Sequence, residues 1–314
     1  MKAVRYHEYG DAGVLRVENI DRPTPGVGQV LLRVTATSFN PVDAGIRSGQ
    51  LRQVFPVSLP HTPGLDVAGT VAELGPRVTS MAPGAPVIGF LPITGGGAAA
   101  EFVSVPVDVL TAAPAALPLA DAAALPLAGL TAWQALFQHA DVATGRRILI
   151  NGAGGAVGRL AVQLAKHAGA TVVATAGPHS IHTIGADGVD ELIDYTKNSV
   201  HDVLVEPVDV LLNLVPVRES SNADAQALLR LIRPGGVFVT AVPPVPESVG
   251  SRVRVVGMST RCDVAALAEL VRQVDTGVLR VDVAARLPLS EVASVHRQSD
   301  AGSLRGKVVF LPGD

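Results

Sequence analysis

The stretch NGAGGAVG, residues 151–158, places four glycines in eight positions directly behind the apolar run RRILI. Glycine gives up more backbone freedom on folding than any other residue, so this density implies that something must come close to the main chain. The longer segment RILINGAGGAVGRLAVQLAKHAGATVVAT reads as strand, glycine turn, amphipathic helix and second strand, about the length of one βαβ unit. Gly152, Gly155 and Gly158 recur every three residues, with Gly154 added. That spacing permits a tight turn, approach of a pyrophosphate to backbone N–H groups, and close helix–sheet packing. The helix N-terminus adds about half a positive charge toward the phosphates. Gly152, Ala153, Gly154, Gly155, Ala156, Val157 and Gly158 are therefore the expected dinucleotide contacts.

The second strand of such a unit carries Asp or Glu about 20 residues on when the ligand is NAD, to bind the ribose diol. Here the strand runs into Thr175, Ala176 and Gly177, and no acid follows until Asp187. A carboxylate beside a 2′-phosphate would be repelled by roughly 1 to 4 kcal/mol at 4 Å, so its absence fits NADP(H). His179, Ser180 and, one strand later, Tyr195 are the polar partners at hand, Thr175 is counted with the cofactor contacts, and no arginine or lysine sits in that turn. Asn213, Ala241 and Lys307 complete the expected cofactor set.

A length of 314 residues favours two domains. Up to about Val109 the chain reads as short strands punctuated by proline and glycine, as in an irregular barrel-like domain. From Arg147 six apolar runs alternate with helix-length segments, which implies a parallel doubly wound sheet. The strand-like pieces RVDVAARLPL and GKVVFLP then return to the early texture. The expected organisation is residues 1–118, a nucleotide-binding insert over 119–260, and a return over 261–314. A net charge of −3 without a basic cluster argues against nucleic acid and against an anionic membrane surface. No apolar h-region opens the chain, and the one cysteine, Cys262, cannot form an intrachain disulfide or a multi-thiolate metal site. A cytoplasmic enzyme is the expectation.

The motifs MKAVRYHEYG, VTATSFNPVDAGIRSG, HTPGLDVAGTV, AGLTAW, NGAGGAVGRLAVQLAK, GVDELIDY and GKVVF, in that order, are specific as a set. With them the chain resembles the medium-chain dehydrogenase/reductase superfamily and, within it, the zinc-free quinone oxidoreductases that include zeta-crystallin. The resemblance implies a GroES-like β-rich domain enclosing a Rossmann domain. It also implies homodimers paired through the edge strand RVRVVGM. Zinc-dependent members carry cysteine where Asn40 stands, histidine where Leu65 stands and a second cysteine near Leu127, so no catalytic zinc is expected.

Without a metal, the resemblance implies hydride transfer from NADPH to a quinone or an α,β-unsaturated carbonyl, with Asn40 and Thr131 beside the nicotinamide. Asn40 offers two donors and an acceptor, enough to polarise a carbonyl or to hold a ribose; it also suits a turn before Pro41. Asp43 and Arg47, in the same loop, are read as structural, and Asp66 as support for that shell. Phe39, Ile46, Phe55, Phe90 and Leu127 are candidate walls of an acceptor pocket, and equally candidate core. Tyr6, Tyr9 and solvent are the candidate proton sources. The alternatives are an enoyl or alkene reductase acting on a specific conjugated substrate and, in another class, a non-catalytic crystallin-like NADPH-binding protein.

Overall fold

β-branched runs closed off by glycine and proline form most of the N-terminal part. The computed structural model describes residues 1–215, 222–242, 245 and 252–313. Two units divide the chain: unit 1 is Met1–Leu127 with Cys262–Asp314, and unit 2 is Ala128–Arg261. Unit 1 begins with β1 (Lys2–Arg5), β2 (Arg16–Asn19), β3 (Gln29–Ser38), β4 (Asp66–Leu74), β5 (Pro86–Phe90), β6 (Phe102–Pro106) and β7 (Leu110–Ala112). β3 pairs antiparallel with β4 and β6, β4 with β5, and β5 with β7. Alternate residues Val30, Leu32 and Val34 of β3 meet Val67, Val71, Val87, Val103 and Val105 in one apolar cluster.

Segment 41–47, read from the sequence as a loop, is helix α1 (Pro41–Arg47). Proline fits its first turn because that N–H has no helical partner to lose. The Asp43 carboxylate accepts from the Asn40 N–H at 2.9 Å and closes the turn. Helix α2 (Leu119–Ala122) packs on β3 and β4, so residues 119–127 belong to unit 1 and the boundary expected after 118 lies after 127.

Helix α3 (Pro126–Trp133) and a π-helical turn, Gln134–His139, lead into unit 2. There β8 (Arg147–Asn151), α4 (Ala156–His167), β9 (Thr171–Ala176), α5 (Ile181–Ala186), β10 (Glu191–Asp194), α6 (Val200–Val203), β11 (Val208–Asn213), α7 (Asn222–Arg230), β12 (Ile232–Thr240) and β13 (Arg254–Gly257) follow in turn. All six strands are parallel, in the order β10-β9-β8-β11-β12-β13. The order reverses between β8 and β11, and ligands of such sheets bind beyond the strand ends at that switch point. β13 stands at one edge.

The chain then returns to unit 1 through α8 (Val264–Asp275), β14 (Ala285–Pro288), α9 (Val292–Asp300) and β15 (Val308–Leu311). β15 pairs with β3, setting Phe310 opposite Thr37 and Val309 opposite Ser38. Of the strand-like piece RVDVAARLPL, Ala285–Pro288 pairs as a strand. Among the described residues, no helix is long and apolar enough to cross a membrane.

Candidate active site and cofactor cradle

The glycine turn separates by position into structural and open glycines. Gly152 has φ +92°, a conformation that side chains rarely adopt. A Cβ on Gly158 would lie 2.5 Å from the Ala153 Cα and 2.6 Å from the Gly152 carbonyl oxygen. This glycine lets α4 press against the turn. Gly155, the N-cap of α4, has ordinary extended angles, and a Cβ there would meet nothing nearer than 3.9 Å. It has no side chain to cap the helix, so the first N–H groups of α4 are left for a ligand. Such a cradle fits a pyrophosphate.

Thr175 was expected among the cofactor contacts. Its hydroxyl instead donates to Asn151 Oδ1 and accepts from the Gly152 N–H, both at 2.9 Å, and so holds the glycine turn. Asn151 Nδ2 donates to Asn213 Oδ1 at 2.8 Å across the switch point, and Asn213 Nδ2 donates to the Val215 carbonyl. Asn151 was missed by sequence reasoning, although a polar residue ending an apolar strand was the signal. Ser180 comes against the cradle: a Cβ on Gly154 would lie 2.3 Å from its Oγ. Tyr195 lies against Gly177, largely exposed, and His179 is exposed beside them. Ala241 is half-buried after β12. Asp187, the first acid after β9, is buried and paired with Arg159 at 3.1 Å. The Thr131 hydroxyl lies 2.7 Å from that of Thr260, within unit 2.

In unit 1 the structure gathers Asn40, Asp66 and Lys307, all buried. Lys307 Nζ donates to Asn40 Oδ1 at 2.6 Å, to the Phe39 carbonyl at 3.0 Å and to Asp66 Oδ2 at 3.4 Å. Asn40 Nδ2 donates to Asp66 Oδ2 at 2.9 Å, and the Ser38 hydroxyl donates to the same oxygen. Asp66 Oδ1 accepts from the Leu127 N–H at 2.7 Å. An ammonium can only donate and a carboxylate can only accept, so the amide has one orientation. Lys307 was expected among the cofactor ligands; its three hydrogens instead face three acceptors of unit 1. Burial also pushes its ammonium pKa down, against the pull of Asp66 and Asp43.

Of the five apolar candidates, Phe39 packs in a core cluster with Val4, Leu15 and Phe310, edge-on to His296 at 4.9 Å. Ile46 and Phe90 are buried as well, while Phe55 and Leu127 keep some surface. Tyr6 Oη is buried without a partner and burial raises its pKa, and Tyr9 Oη donates to the Val57 carbonyl at 3.4 Å.

Burial leaves unit 1 with opposed titrations. It pushes His61 down to about 4 and, with help from Arg47, His296 down to about 3. It pushes Asp43 up to about 7, and the neighbouring Asp66 adds to that rise. The depressed histidines add stability above pH 6.5 that is lost on acidification, because the unfolded chain takes their protons first. Asp43 does the reverse, its contribution being complete below its unfolded pKa and lost as pH rises toward 7. Two histidines outweigh one carboxyl, so between pH 6.5 and 5 unfolding takes up a net proton fraction that grows from about 0.2 to about 0.9. Stability is expected to fall by about 0.3 kcal/mol per unit of acidification at the top of that range, steepening to about 1.2 kcal/mol per unit near pH 5. Urea midpoints measured across that range check it, and His296→Phe is expected to flatten the slope.

A family profile described as "Alcohol dehydrogenase GroES-like domain" matches residues 26–115, and one described as "Zinc-binding dehydrogenase" matches residues 188–310. The mouse (Mus musculus) quinone oxidoreductase is 32% identical over 262 residues, covering 80% of this chain and 76% of that protein. The chain belongs to the quinone oxidoreductase family of medium-chain dehydrogenase/reductases. The chloroplast envelope quinone oxidoreductase homolog of Arabidopsis thaliana is 42% identical over 202 residues, 62% of this chain and 61% of that protein. That match therefore spans about three-fifths of the relative's length. The NADPH-dependent alkenal/one oxidoreductase of the same plant is 36% identical over 249 residues, 76% of this chain and 62% of that protein. Among solved structures, the Coxiella burnetii quinone oxidoreductase superposes with TM-score 0.88 at 30% identity, covering 99% of each chain. A mycobacterial protein complexed with NADPH gives TM-score 0.86 at 28% identity, covering 99% of this chain and all of the other.

One of the matching profiles is named for zinc, and the residues here do not fit that ion. Asn40, Leu65 and Leu127 supply one amide and two alkyl side chains where the metal-dependent members place their ligands. The amide oxygen is already held by an ammonium at 2.6 Å, which opposes a dication.

Proposed function

We propose that this protein is a zinc-independent, NADPH-dependent oxidoreductase that transfers a hydride to a quinone or an α,β-unsaturated carbonyl. The observation that carries the reading is the buried Asn40 amide, anchored by Lys307 and Asp66 where a metal-dependent relative would hold its ion. The glycine cradle would hold the pyrophosphate through the N–H groups opening α4, with Ser180, His179 and Tyr195 as polar neighbours for the 2′-phosphate and no carboxylate among them. NADPH, when bound, supplies the hydride.

Asn40 supplies an amide N–H to the oxygen of the acceptor, where charge accumulates during reduction. Thr131, on the nucleotide-binding unit, serves the nicotinamide side. With Tyr6 buried in the core and Tyr9 hydrogen-bonded elsewhere, solvent supplies the proton. The alkenal/one relative favours conjugated aldehydes and ketones as acceptors, alongside the quinones of the family name.

NADPH deuterated at the transferring position, offered with quinones, enals and enones, tests the reading. Turnover of at least one acceptor class is expected. Deuterium at the β-carbon of a reduced alkene assigns an ene reductase, and quinone-dependent oxidation alone assigns a quinone reductase. NADPH binding without oxidation by any of them would mark a cofactor-binding protein instead.

A further inference from the structure

We propose that Lys307 is a positioning residue, its ammonium making the Asn40 amide a strengthened N–H donor of fixed orientation for the acceptor's carbonyl oxygen. The inference rests on the hydride-transfer reading above. An asparagine free to turn can present either its oxygen or its nitrogen to a substrate. Here the oxygen is claimed by a group that only donates, 2.6 Å away, and one N–H by a group that only accepts, 2.9 Å away. The second Nδ2 hydrogen is the one left for a ligand, while the oxygen already faces an ammonium, so this side chain turns a hydrogen toward the acceptor. That suits a ketone, aldehyde or quinone oxygen, on which negative charge grows as hydride arrives.

Orientation is half of the effect. A cation bonded to the amide oxygen draws electron density from nitrogen and makes the remaining N–H more acidic. In a buried setting such chained hydrogen bonds strengthen one another. Asp66 supplies the counter-charge and is itself fixed by the Ser38 hydroxyl and the Leu127 N–H. For Lys307 to reach a phosphate it would have to leave the Phe39 carbonyl, Asn40 and Asp66 together, and this separates the proposal from a direct role with the cofactor.

The test compares wild type with Lys307→Met and with the pair Asp66→Asn/Lys307→Met. The pair removes both charges and so leaves no buried ion unpaired if the single variant fails to fold. The first readout needs no cofactor: the side-chain amide signals of Asn40 in a 1H–15N spectrum, assigned by their loss in Asn40→Ala. In wild type the Asn40 nitrogen is expected downfield of the other asparagines, with one proton slow to exchange; in the pair variant it moves into their range. The second readout is NADPH-dependent reduction of trans-2-hexenal and p-benzoquinone. For hexenal, the weaker electrophile, kcat is expected to fall at least tenfold, and less for benzoquinone, while the Kd for NADPH changes less than twofold. An unmoved Asn40 signal overturns the proposal. So does a tenfold loss of NADPH affinity with kcat intact, which would make Lys307 a cofactor ligand. If wild type reduces neither acceptor, the hydride-transfer reading fails by itself, and the Asn40 signal still decides whether Lys307 holds the amide.

Discussion

Gly158→Ala is expected to lower stability by about 3 kcal/mol, while Gly155→Ala, three residues earlier in the same motif, leaves the fold within about 0.5 kcal/mol of wild type. The difference follows from what each new methyl group meets. At Gly158 it would stand 2.5 Å from a backbone carbon and 2.6 Å from a backbone oxygen, neither of which can move without shifting the turn or α4. At Gly155 the nearest atom is 3.9 Å away and the backbone angles suit any residue. The functional effects run the other way. Gly155 opens α4, so its methyl group would occupy space that a pyrophosphate needs, and NADPH affinity is expected to fall tenfold or more. Thermal melting without cofactor and fluorescence titration with NADPH separate the two. Equal melting of both variants would contradict the assignment of Gly158 as the packing glycine, and normal NADPH binding by Gly155→Ala would contradict the cradle.

Asp300→Asn carries the second large effect. Arg47 is buried to 1% side-chain exposure, and its Nη2 donates to both oxygens of Asp300 at 2.9 and 2.8 Å. Nε and Nη1 have no partner. Removing the carboxylate strands a cation inside unit 1, which costs 3 to 5 kcal/mol when both partners are buried. Asp300 is 42% exposed, so the expected loss is nearer ~2 to 3 kcal/mol. Adding Arg47→Met to Asp300→Asn is expected to recover part of it, because an apolar side chain of similar reach needs no counter-charge. Urea unfolding of the single and double variants measures this, and a double variant less stable than the single one would show that Arg47 holds unit 1 together by other means.

The Rossmann-type unit was legible because its signals are local. The glycine spacing and the turn after β9 lie within one βαβ stretch, and the parallel sheet follows from the alternation of apolar runs with helix-length segments. Helix α1 was misread because Asn-Pro is a turn signal as well as a helix start. The Asp43 carboxylate, three residues after Asn40, was the clue that decides for the helix. Phe39 could not be assigned from its type, since an apolar side chain suits a core and a pocket wall alike. Thr175 was placed among the cofactor contacts, but a hydroxyl at a strand end can hold the loop or the ligand. Asp66 was read as support for the Asn40 shell, and its contacts with Ser38, Asn40 and Leu127 show the form that support takes. The partnership of Asn40 with Lys307 spans 267 residues and left no trace in spacing or periodicity.

That separation has a consequence for how the protein is made. The six strands of unit 2 all lie between residues 147 and 257, so the nucleotide-binding sheet is fully synthesised before β15 exists. Unit 1 waits longer: β3 gains β15 as a neighbour, and Asn40 gains its cation, only when residues around 307 emerge from the ribosome. Segments that fold as units in order of synthesis would thus assemble the cofactor cradle first. The nascent chain would carry its glycine cradle well before the cluster of Asn40, Asp66 and Lys307 could close.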